Sequence, residues 1–332
     1  MYTKSILPLV LAASASAQSI VSVLQNQTQL SNLVTLLNSQ PAVVSALTSA
    51  TNITLLAPHN DAIMTFLNSP AGAAADSGTV AALLEYHVVN GAFKSTAFTT
   101  TPVFASTLLT NSSFTNVTGG QVVEAVAEQG GGVDIFSGLR AKSSVVVPDI
   151  TFDGGVIHII DTVLTIPPSV SDTATANNLT SLASAVMSAG LLTTINTTPN
   201  ITVFAPTNAA FSAIASTVSG LSTSQLASVL DSRLSTMNLP TVEGANVAIM
   251  VSGSSVMVNK ANVVLADVIV ANGVVHVLDS VLSVPSSSGS NASSSSSTAS
   301  SANSSAAGIM NMSLNARGAS LAAIVFMGSL LL

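Results

Sequence analysis

The sequence contains no cysteine, no tryptophan and very little charge. Without cysteine the chain has no disulfide, no thiolate nucleophile and no cysteine-ligated zinc. Charged residues make up 6% of the chain, against about 25% in an average globular protein. Lysine and arginine number only 7, and the formal net charge is −7. Because clustered basic residues are needed to neutralise phosphates, the composition predicts no nucleic acid partner.

The first 17 residues have the pattern of a secretory signal peptide. Lys4 precedes a short apolar stretch at 6–13, and Ala15-Ser16-Ala17 matches a small-residue cleavage site. The apolar stretch is too short to span a bilayer, which takes roughly 20 residues. We therefore expect residues 1–17 to be removed on export.

The other end of the sequence has the pattern of a glycosylphosphatidylinositol (GPI) anchor signal. Small residues are followed by a fairly polar spacer at 308–318 and an apolar tail at 319–332. We expect residues 306–332 to be removed. A single membrane-spanning segment is the alternative, but the tail has 14 residues where about 20 are needed. The candidate attachment residues are Asn303, Ser304, Ser305, Ala306 and Ala307.

Potential glycosylation sites are frequent. In a secreted chain, Asn-x-Ser/Thr sequons become glycan acceptors on surface loops. Residues 286–305 contain 13 serines and cannot build a core, so they predict a glycosylated stalk. Glycans would supply the hydration that the few charged residues do not. The sequons are at Asn26, Asn52, Asn111, Asn116, Asn178, Asn196, Asn200, Asn291, Asn303 and, within the tail, Asn311.

Two sequence blocks each occur twice, in the same order. The first is N-I-T-L-L-A-P at 52–58 and N-I-T-V-F-A-P at 200–206. The second is G-V-I-H-I-I-D-T-V-L-T-I-P at 155–167 and G-V-V-H-V-L-D-S-V-L-S-V-P at 273–285. Blocks that recur in order indicate a repeated domain. We expect the first domain at 18–168 and the second at 169–285.

The blocks also predict local structure. Each first block is a strand that ends at proline, followed by a Thr, Asn or Asp in the helix N-cap position. Each second block is a β-branched run between glycine and proline, which predicts a strand buried on both faces. Helices are predicted at 30–47 and 179–195. Hairpins are predicted at 121–126 with 133–136 and at 247–251 with 256–258.

These blocks resemble those of the fasciclin (FAS1) family. The stretch I-T-V-F-A-P-T-N-A-A-F at 201–211 looks like the family's first signature box, and both second blocks look like its second box. The stretch L-L-E-Y-H-V-V-N-G at 83–91 is similar to its Tyr-His segment. The resemblance covers about residues 18–285. It implies an α+β fold of two tandem domains, each a β-wedge or sandwich with helices packed at one side.

The resemblance also implies interaction residues. These are Tyr86 and His87, and the motif Pro148-Asp149-Ile150, which resembles one linked to integrin binding in animal members. We do not transfer integrin recognition itself, because that partner need not exist here. From the residues alone, Tyr86 and His87 are interpreted as polar tips that tie a helix end to the core, with surface recognition as the alternative.

The second copy departs from the family pattern. Tyr86-His87 align with Ser232-Arg233, and Ala266-Asp267-Val268 matches the Pro-Asp-Ile motif only loosely. The proline of the first block lies 100 residues before the histidine of the second block in copy one (58 to 158) and 70 before it in copy two (206 to 276). We therefore expect the second domain to be shortened by one or two hairpin-sized elements.

The four histidines are the natural candidates for catalysis. His158 and His276 each precede an aspartate by three positions, and residues three apart on a strand point to opposite faces. We therefore expect buried histidines and backbone-bonded aspartates rather than His-Asp dyads. His59 is interpreted as a solvated turn residue at a helix cap. The sequence has no nucleophile elbow, phosphate loop or three-ligand metal cluster, so no catalytic residue, cofactor or metal is predicted.

Together these patterns predict an extracellular, non-catalytic adhesion or interaction glycoprotein. Its partner would be an extracellular protein or a wall or matrix polysaccharide, with the GPI lipid holding it at the plasma membrane or cell wall. The alternative is a structural wall or vacuolar glycoprotein that acts as a spacer, located in the vacuole or a secretory-pathway membrane. Carbohydrate binding has little aromatic support, because there are only two tyrosines and most of the ten phenylalanines are expected in the core.

Overall fold

The computed structural model describes residues 18–188, 190–218, 239–240, 246–252, 255–282 and 324–327. These form two compact units, which divide between Pro167 and Pro168. The predicted signal peptide, the Ser-rich stalk and the anchor candidates at 303–307 lie outside the described residues. No helix in the described part of the chain has both the length and the apolar character that crossing a bilayer requires.

A layer of helices opens the first domain. The Ser19 hydroxyl caps the first helix, and the Asp76 carboxylate caps the last by accepting the Thr79 N–H at 2.8 Å. The predicted helix at 30–47 is divided in two, because Pro41 lacks an N–H and restricts the residue before it. The helices are α1 (Ile20–Gln25), α2 (Ser31–Asn38), α3 (Pro41–Ser49), α4 (Asn60–Leu67), α5 (Pro70–Ala73) and α6 (Ser77–Tyr86).

The strands of the first domain form one seven-stranded sheet in the order β2-β1-β7-β6-β5-β4-β3. The central pair, β1 and β7, is parallel, with Ile53 opposite Gly155, and the other neighbours are antiparallel. The hairpin predicted from residues 121–136 is formed by β4 and β5. The strands are β1 (Ile53–Pro58), β2 (Val88–Asn90), β3 (Val103–Ser106), β4 (Val122–Ala127), β5 (Val133–Phe136), β6 (Lys142–Phe152) and β7 (Gly155–Ile160).

The central strands of the first domain contribute to two apolar cores. Leu55 and Ile157 join the core beneath the helices. Leu56 follows Leu55 in β1, and Ile160 lies three positions after Ile157 in β7, so both face the other side of the sheet. They join a second core with residues of β3, β4 and β5. Alternate side chains of a strand face opposite sides, so both faces of β1 and β7 are covered. The predicted α+β fold, with helices packed at one side, is confirmed.

The second domain repeats this plan. The parallel pair is β8 with β14, and the predicted hairpin at 247–258 is formed by β11 and β12. The sheet order is β11-β12-β13-β14-β8-β15, beside a separate pair of β9 and β10. The elements are α7 (Val170–Ala176), α8 (Thr180–Ser188), α9 (Leu192–Thr197), β8 (Ile201–Pro206), α10 (Asn208–Val218), β9 (Leu239–Pro240), β10 (Asn246–Val247), β11 (Ile249–Ser252), β12 (Ser255–Val258), β13 (Ala261–Val270), β14 (Gly273–Leu278) and β15 (Ile324–Met327).

The outer edge of the first-block strand is covered differently in the two domains. In the first domain β2 pairs antiparallel with β1. In the second domain β15 pairs antiparallel with β8, with Ile324 opposite Phe204. β15 belongs to the apolar tail that the sequence predicts to be removed. Much of the segment between the two blocks of the second domain, at 219–238 and 241–245, lies outside the described residues, so the expected shortening stays a prediction.

Unusual backbone geometry recurs at matching positions of the two copies. Asn52 and Asn200, before the first-block strands, have φ of 59° and 53°. Asp149 and Asp267 have φ of 63° and 59° and lie in register shifts of β6 and β13. Asparagine and aspartate adopt this left-handed conformation more readily than most residues. The duplication therefore extends to individual strained positions, which supports a common fold for both copies.

Candidate functional site

The Tyr86-His87 segment lies inside the first domain. Tyr86 is 0% exposed, and its hydroxyl donates to the Val122 carbonyl at 2.9 Å. His87 is 2% exposed; its Nε2 accepts the Leu164 N–H at 3.0 Å, so Nδ1 carries the proton and donates to the Leu83 carbonyl at 2.7 Å. Burial raises the pKa of Tyr86 and lowers the pKa of His87 to about 4. Both side chains are therefore neutral at neutral pH.

These contacts tie the end of α6 to β4 and to the segment after β7. They agree with the interpretation of Tyr86 and His87 as polar tips that hold a helix end. In this conformation neither side chain has surface to offer a partner. The aligned pair of the second copy, Ser232-Arg233, lies outside the described residues.

Pro148-Asp149-Ile150 forms a bulge of β6 and binds a loop. The Asp149 N–H donates to His158 Nδ1 at 3.1 Å. The Asp149 carboxylate accepts hydrogen bonds from the Ser95 N–H, at 2.8 Å, and from the Ser95 hydroxyl. Burial alone would raise the pKa of Asp149, but the hydrogen bonds from Ser95 hold it below its ordinary value. Of the three motif residues, Pro148 is exposed and the other two are half-buried.

His158 completes the attachment of that loop. Its ring is 1% exposed, and with Nδ1 accepting a hydrogen bond, Nε2 donates to the Phe93 carbonyl at 2.8 Å. Burial lowers the pKa of His158, which keeps the ring neutral. The ring of Phe98 packs edge-on against it, with centroids 6.4 Å apart. The histidine and the aspartate therefore serve as a brace between β6, β7 and the loop at 93–98.

The second domain keeps the hydrogen bond from the aspartate backbone N–H to the histidine ring. The Asp267 N–H donates to His276 Nδ1 at 3.2 Å, and one carboxylate oxygen of Asp267 lies 3.9 Å from the same nitrogen. The side chain of His276 is 21% exposed and stacks on Phe204, with centroids 5.7 Å apart. The loose sequence match of Ala266-Asp267-Val268 to Pro148-Asp149-Ile150 therefore corresponds to one shared local geometry.

The expectation of backbone-bonded aspartates agrees with the structure at both positions, whereas the expected burial of the histidine holds for His158 and not for His276. Asp161 accepts the Ser144 N–H from the neighbouring strand at 2.8 Å. Asp279 accepts the Asn262 N–H at 2.8 Å and its side-chain amide at 2.7 Å. Both aspartates therefore bond a neighbouring strand rather than the histidine three positions before them. In the described ranges, no three acidic or histidine side chains are grouped as metal ligands would be.

His59 is the N-cap of α4, with Nδ1 accepting the Ala62 N–H at 3.0 Å. The expectation of a Thr, Asn or Asp cap is therefore wrong for the first copy and correct for the second, where the Thr207 hydroxyl accepts the Ala210 N–H. An imidazole nitrogen can accept this hydrogen bond as a hydroxyl oxygen does.

Beside His59 lies a cleft of about 350 Å³, which the sequence did not indicate. We call it the β1–α4 cleft. Its lining includes His59, Asp61, Thr65, Phe66, Asp161 and Thr162. Asp61 lies in the first turn of α4, and Asp161 follows β7 directly. Residues about 100 positions apart in the chain therefore meet there, which explains why no local sequence pattern revealed it.

The described sequon asparagines lie at or near the surface. Asn26, Asn52, Asn111, Asn116 and Asn178 are exposed, and Asn196 and Asn200 are half-buried. The side chain of Asn196 is engaged, since it accepts the Ser171 N–H at 3.2 Å and donates to the Ser171 hydroxyl at 2.9 Å. Asn291 and Asn303 lie outside the described residues.

These features define a class of protein: two tandem α+β domains in which the histidines and bulge aspartates brace strands and loops. The chain matches the fasciclin domain family over residues 28–167 and 177–285. It therefore belongs to the fasciclin domain family, and the resemblance inferred from the repeated blocks is confirmed in both copies.

Three relatives share the name fasciclin-like arabinogalactan protein. A fasciclin-like arabinogalactan protein of Arthroderma benhamiae is 35% identical over 205 residues, which are 60% of this chain and 48% of that protein. One of Phaeosphaeria nodorum is 30% identical over 223 residues, 67% of this chain and 70% of that protein. One of Cercospora beticola is 28% identical over 232 residues, 66% and 60% of the two chains. The match thus spans about half the length of the first of these relatives.

A solved structure is also similar. The fasciclin domain pair from an insect cell adhesion molecule aligns with 76% of this chain and 96% of that chain, at 17% identity and a TM-score of 0.38. That score is too low to support a conclusion about the arrangement of the two domains.

Proposed function

We propose that this chain is a non-catalytic adhesion glycoprotein of the cell surface. It is exported, glycosylated on both domains, held by a GPI anchor, and contacts an extracellular protein or a wall or matrix polysaccharide. The observation that carries the proposal is the placement of the sequons, since five of the seven described sequon asparagines are exposed and spread over both domains. The names of the fungal relatives, which are fasciclin-like arabinogalactan proteins, support the same role.

The burial and hydrogen bonding of the tyrosine and histidine side chains support a non-catalytic role. Tyr86, His87 and His158 are buried, and each of their polar atoms described above has a partner within the fold. A general acid or base must reach a substrate proton within hydrogen-bond distance. These three side chains already serve the fold, so the proposed function rests on surface and glycans.

The test begins with intact cells that express the full chain. Treatment with phosphatidylinositol-specific phospholipase C is expected to release the protein, and removal of N-glycans is expected to lower its apparent mass. Deleting the chain is expected to reduce cell attachment to wall or matrix preparations. A protein that stays with the membrane after the lipase and carries no glycan would contradict the proposal.

A structural spacer is the second candidate, with no specific partner and a location in the wall or the vacuole. The 13 serines at 286–305 favour it, because such a stretch extends without building a core. The two functions differ in one measurement. A spacer predicts wall defects on deletion without loss of binding to any isolated wall or matrix component, whereas an adhesion protein predicts loss of binding.

A further inference from the structure

The β1–α4 cleft lies where the two central strands of the first domain end. Since β1 and β7 are parallel, their carboxyl ends lie at the same edge of the sheet, and α4 begins just after β1. Crevices at the carboxyl ends of parallel strands are frequent ligand sites in α/β proteins. The volume of about 350 Å³ lies within the range of roughly 300–1,000 Å³ common for small-molecule sites.

The lining of the cleft offers hydrogen-bonding groups that the fold does not use. Nδ1 of His59 accepts the Ala62 N–H, so a neutral ring carries its proton on Nε2, which has no hydrogen-bond partner in the described part of the chain. Asp161 uses Oδ1 for Ser144, and its Oδ2 has no partner among the described residues. The Asp61 carboxylate likewise has none there. The cleft therefore presents one donor and two carboxylates.

The remaining lining determines which ligand fits. Phe66 is half-buried and adds an aromatic surface beside the hydroxyls of Thr65 and Thr162. No lysine or arginine is among the described residues that line the cleft. A flat apolar surface surrounded by hydrogen-bonding groups suits a pyranose ring, which has apolar C–H faces and a rim of hydroxyls. Two carboxylates without a basic residue disfavour an anionic ligand.

The second domain shows that the fold does not require these side chains. The positions of His59, Asp61, Thr65 and Phe66 are occupied there by Thr207, Ala209, Ala213 and Ile214, in the order given. Thr207 makes the same helix cap that His59 makes. Asp161 and Thr162 have close counterparts in Asp279 and Ser280. The constellation is therefore specific to the first domain.

We propose that the β1–α4 cleft is a saccharide-binding site that takes one pyranose unit of a neutral or amine-bearing polysaccharide. The Asp61 and Asp161 carboxylates accept hydrogen bonds from hydroxyl or ammonium groups, His59 Nε2 donates to a ring substituent, and Phe66 packs against the C–H face. This proposal rests on the proposed adhesion function, which supplies the polysaccharide partner. It adds to that function the domain that binds and the class of sugar that is bound.

No sequon asparagine lines the cleft, so the predicted glycans leave its lining free. Asn52, at the start of β1, belongs to the opposite end of that strand. A glycan there and a saccharide in the cleft can therefore coexist.

The test uses the full mature chain and four substitutions that introduce the second domain's own residues: His59→Thr, Asp61→Ala, Thr65→Ala and Phe66→Ile. The matched control is Met64→Ser, which also introduces the second domain's residue, at a side chain that is 51% exposed and does not line the cleft. Isothermal titration uses three probes: a neutral β-glucan hexasaccharide, a chitosan hexasaccharide and an oligogalacturonate of the same length. Thermal unfolding of each variant confirms that it is folded.

The unmodified chain and the Met64→Ser variant are expected to bind the glucan or the chitosan probe and not the oligogalacturonate. The fourfold variant is expected to bind at least about tenfold more weakly, since it loses three hydrogen-bonding groups, on His59, Asp61 and Thr65, and the aromatic surface. Equal binding by the fourfold variant, no binding of any probe by the unmodified chain, or preference for the oligogalacturonate would overturn the proposal. If the cleft proposal fails while cells still attach in a lipase-sensitive manner, the adhesion function stands without this site.

Discussion

The two domains share their central strands and differ in what surrounds them. In both, a left-handed aspartate in a bulge donates its N–H to a histidine on the neighbouring strand, at 3.1 Å and 3.2 Å. In the first domain His158 is buried and also bonds the Phe93 carbonyl. In the second His276 is partly exposed and stacks on Phe204. The repeated blocks therefore encode the hydrogen bond from the aspartate N–H to the histidine, while the residues packed around the histidine differ between the two domains.

The largest expected effect tests what the domains share. A β-carbon on Gly155 or on Gly273 would lie 1.8 Å from the carbonyl oxygen of Ile53 or Ile201, so the parallel pair would have to separate. Gly155→Ala and Gly273→Ala are each expected to destabilise their own domain by about 4 kcal/mol or more. Hydrogen exchange of peptides from each domain measures the two effects separately. A glycine variant whose own domain stays fully protected from hydrogen exchange would contradict the view that both domains depend on the same parallel strand pair.

The second prediction concerns acid, and it distinguishes the domains. The pKa of His87 is lowered from 6.5 to about 4, so between these values the unfolded state binds more protons than the folded state. The stability of the first domain is therefore expected to fall by about 3 kcal/mol as pH drops from about 6.5 to about 4. His158, whose pKa is also lowered, contributes in the same direction. The aligned residue of the second copy is Arg233, which does not titrate in this range.

Tyrosine fluorescence offers a selective readout of that acid effect. The chain has no tryptophan and two tyrosines, Tyr2 and Tyr86. Once residues 1–17 are removed, the emission reports only the buried Tyr86 of the first domain. Urea unfolding of a His87→Gln variant is the control, and its stability is expected to depend less on pH. An unchanged midpoint for the natural chain between the two pH values would contradict the prediction.

The third prediction compares the two brace histidines. His158→Ala would leave the Asp149 N–H and the Phe93 carbonyl without their partner and would open a buried cavity, at an expected cost of about 3 kcal/mol. His276→Ala removes a partly exposed ring, and the expected cost to its domain is about 1 kcal/mol. Hydrogen exchange at 93–98 and 266–276 reports both changes. Equal costs would show that the surroundings contribute less than the shared backbone contact.

The smallest expected effect is at Tyr86. Tyr86→Phe keeps the buried ring and removes only the hydroxyl that donates to the Val122 carbonyl. The first domain is expected to lose about 1 kcal/mol, as is typical of one buried hydrogen bond. Binding to isolated wall or matrix preparations is expected to stay unchanged, because the side chain is 0% exposed. Lost binding with unchanged stability would instead support Tyr86 as an interaction residue.

The sequence was sufficient wherever the physical signal was local. The strands ending at Pro58 and Pro206 and the two hairpins are set by β-branched runs and turn residues. The expected backbone-bonded aspartates are seen at Asp161 and Asp279, but both lie one residue beyond their strands, so side-chain alternation along a strand is not the reason for their contacts. Repetition of the blocks was enough to predict two domains of one family.

The remaining features depend on contacts between distant parts of the chain. Ser95 meets Asp149 across 54 positions, and Leu164 meets His87 across 77. No local pattern could indicate that the Pro-Asp-Ile motif braces a loop, or that Tyr86 and His87 are enclosed by β4 and the segment after β7. The helix break at Pro41 could have been predicted from the sequence, because proline disfavours a continuous helix. The prediction of one helix at 30–47 missed it, because the apolar periodicity continues past the proline.

The parallel pairing of β1 with β7 has a consequence for the order of events during synthesis. About 100 residues separate Ile53 from its partner Gly155, so the central pair closes only after nearly the whole domain has left the ribosome. In a chain exported during translation, Asn26 and Asn52 enter the lumen long before that closure. Under the proposed export and glycosylation, the enzyme would meet these asparagines on an open polypeptide, and the first domain would fold after the sugars are attached.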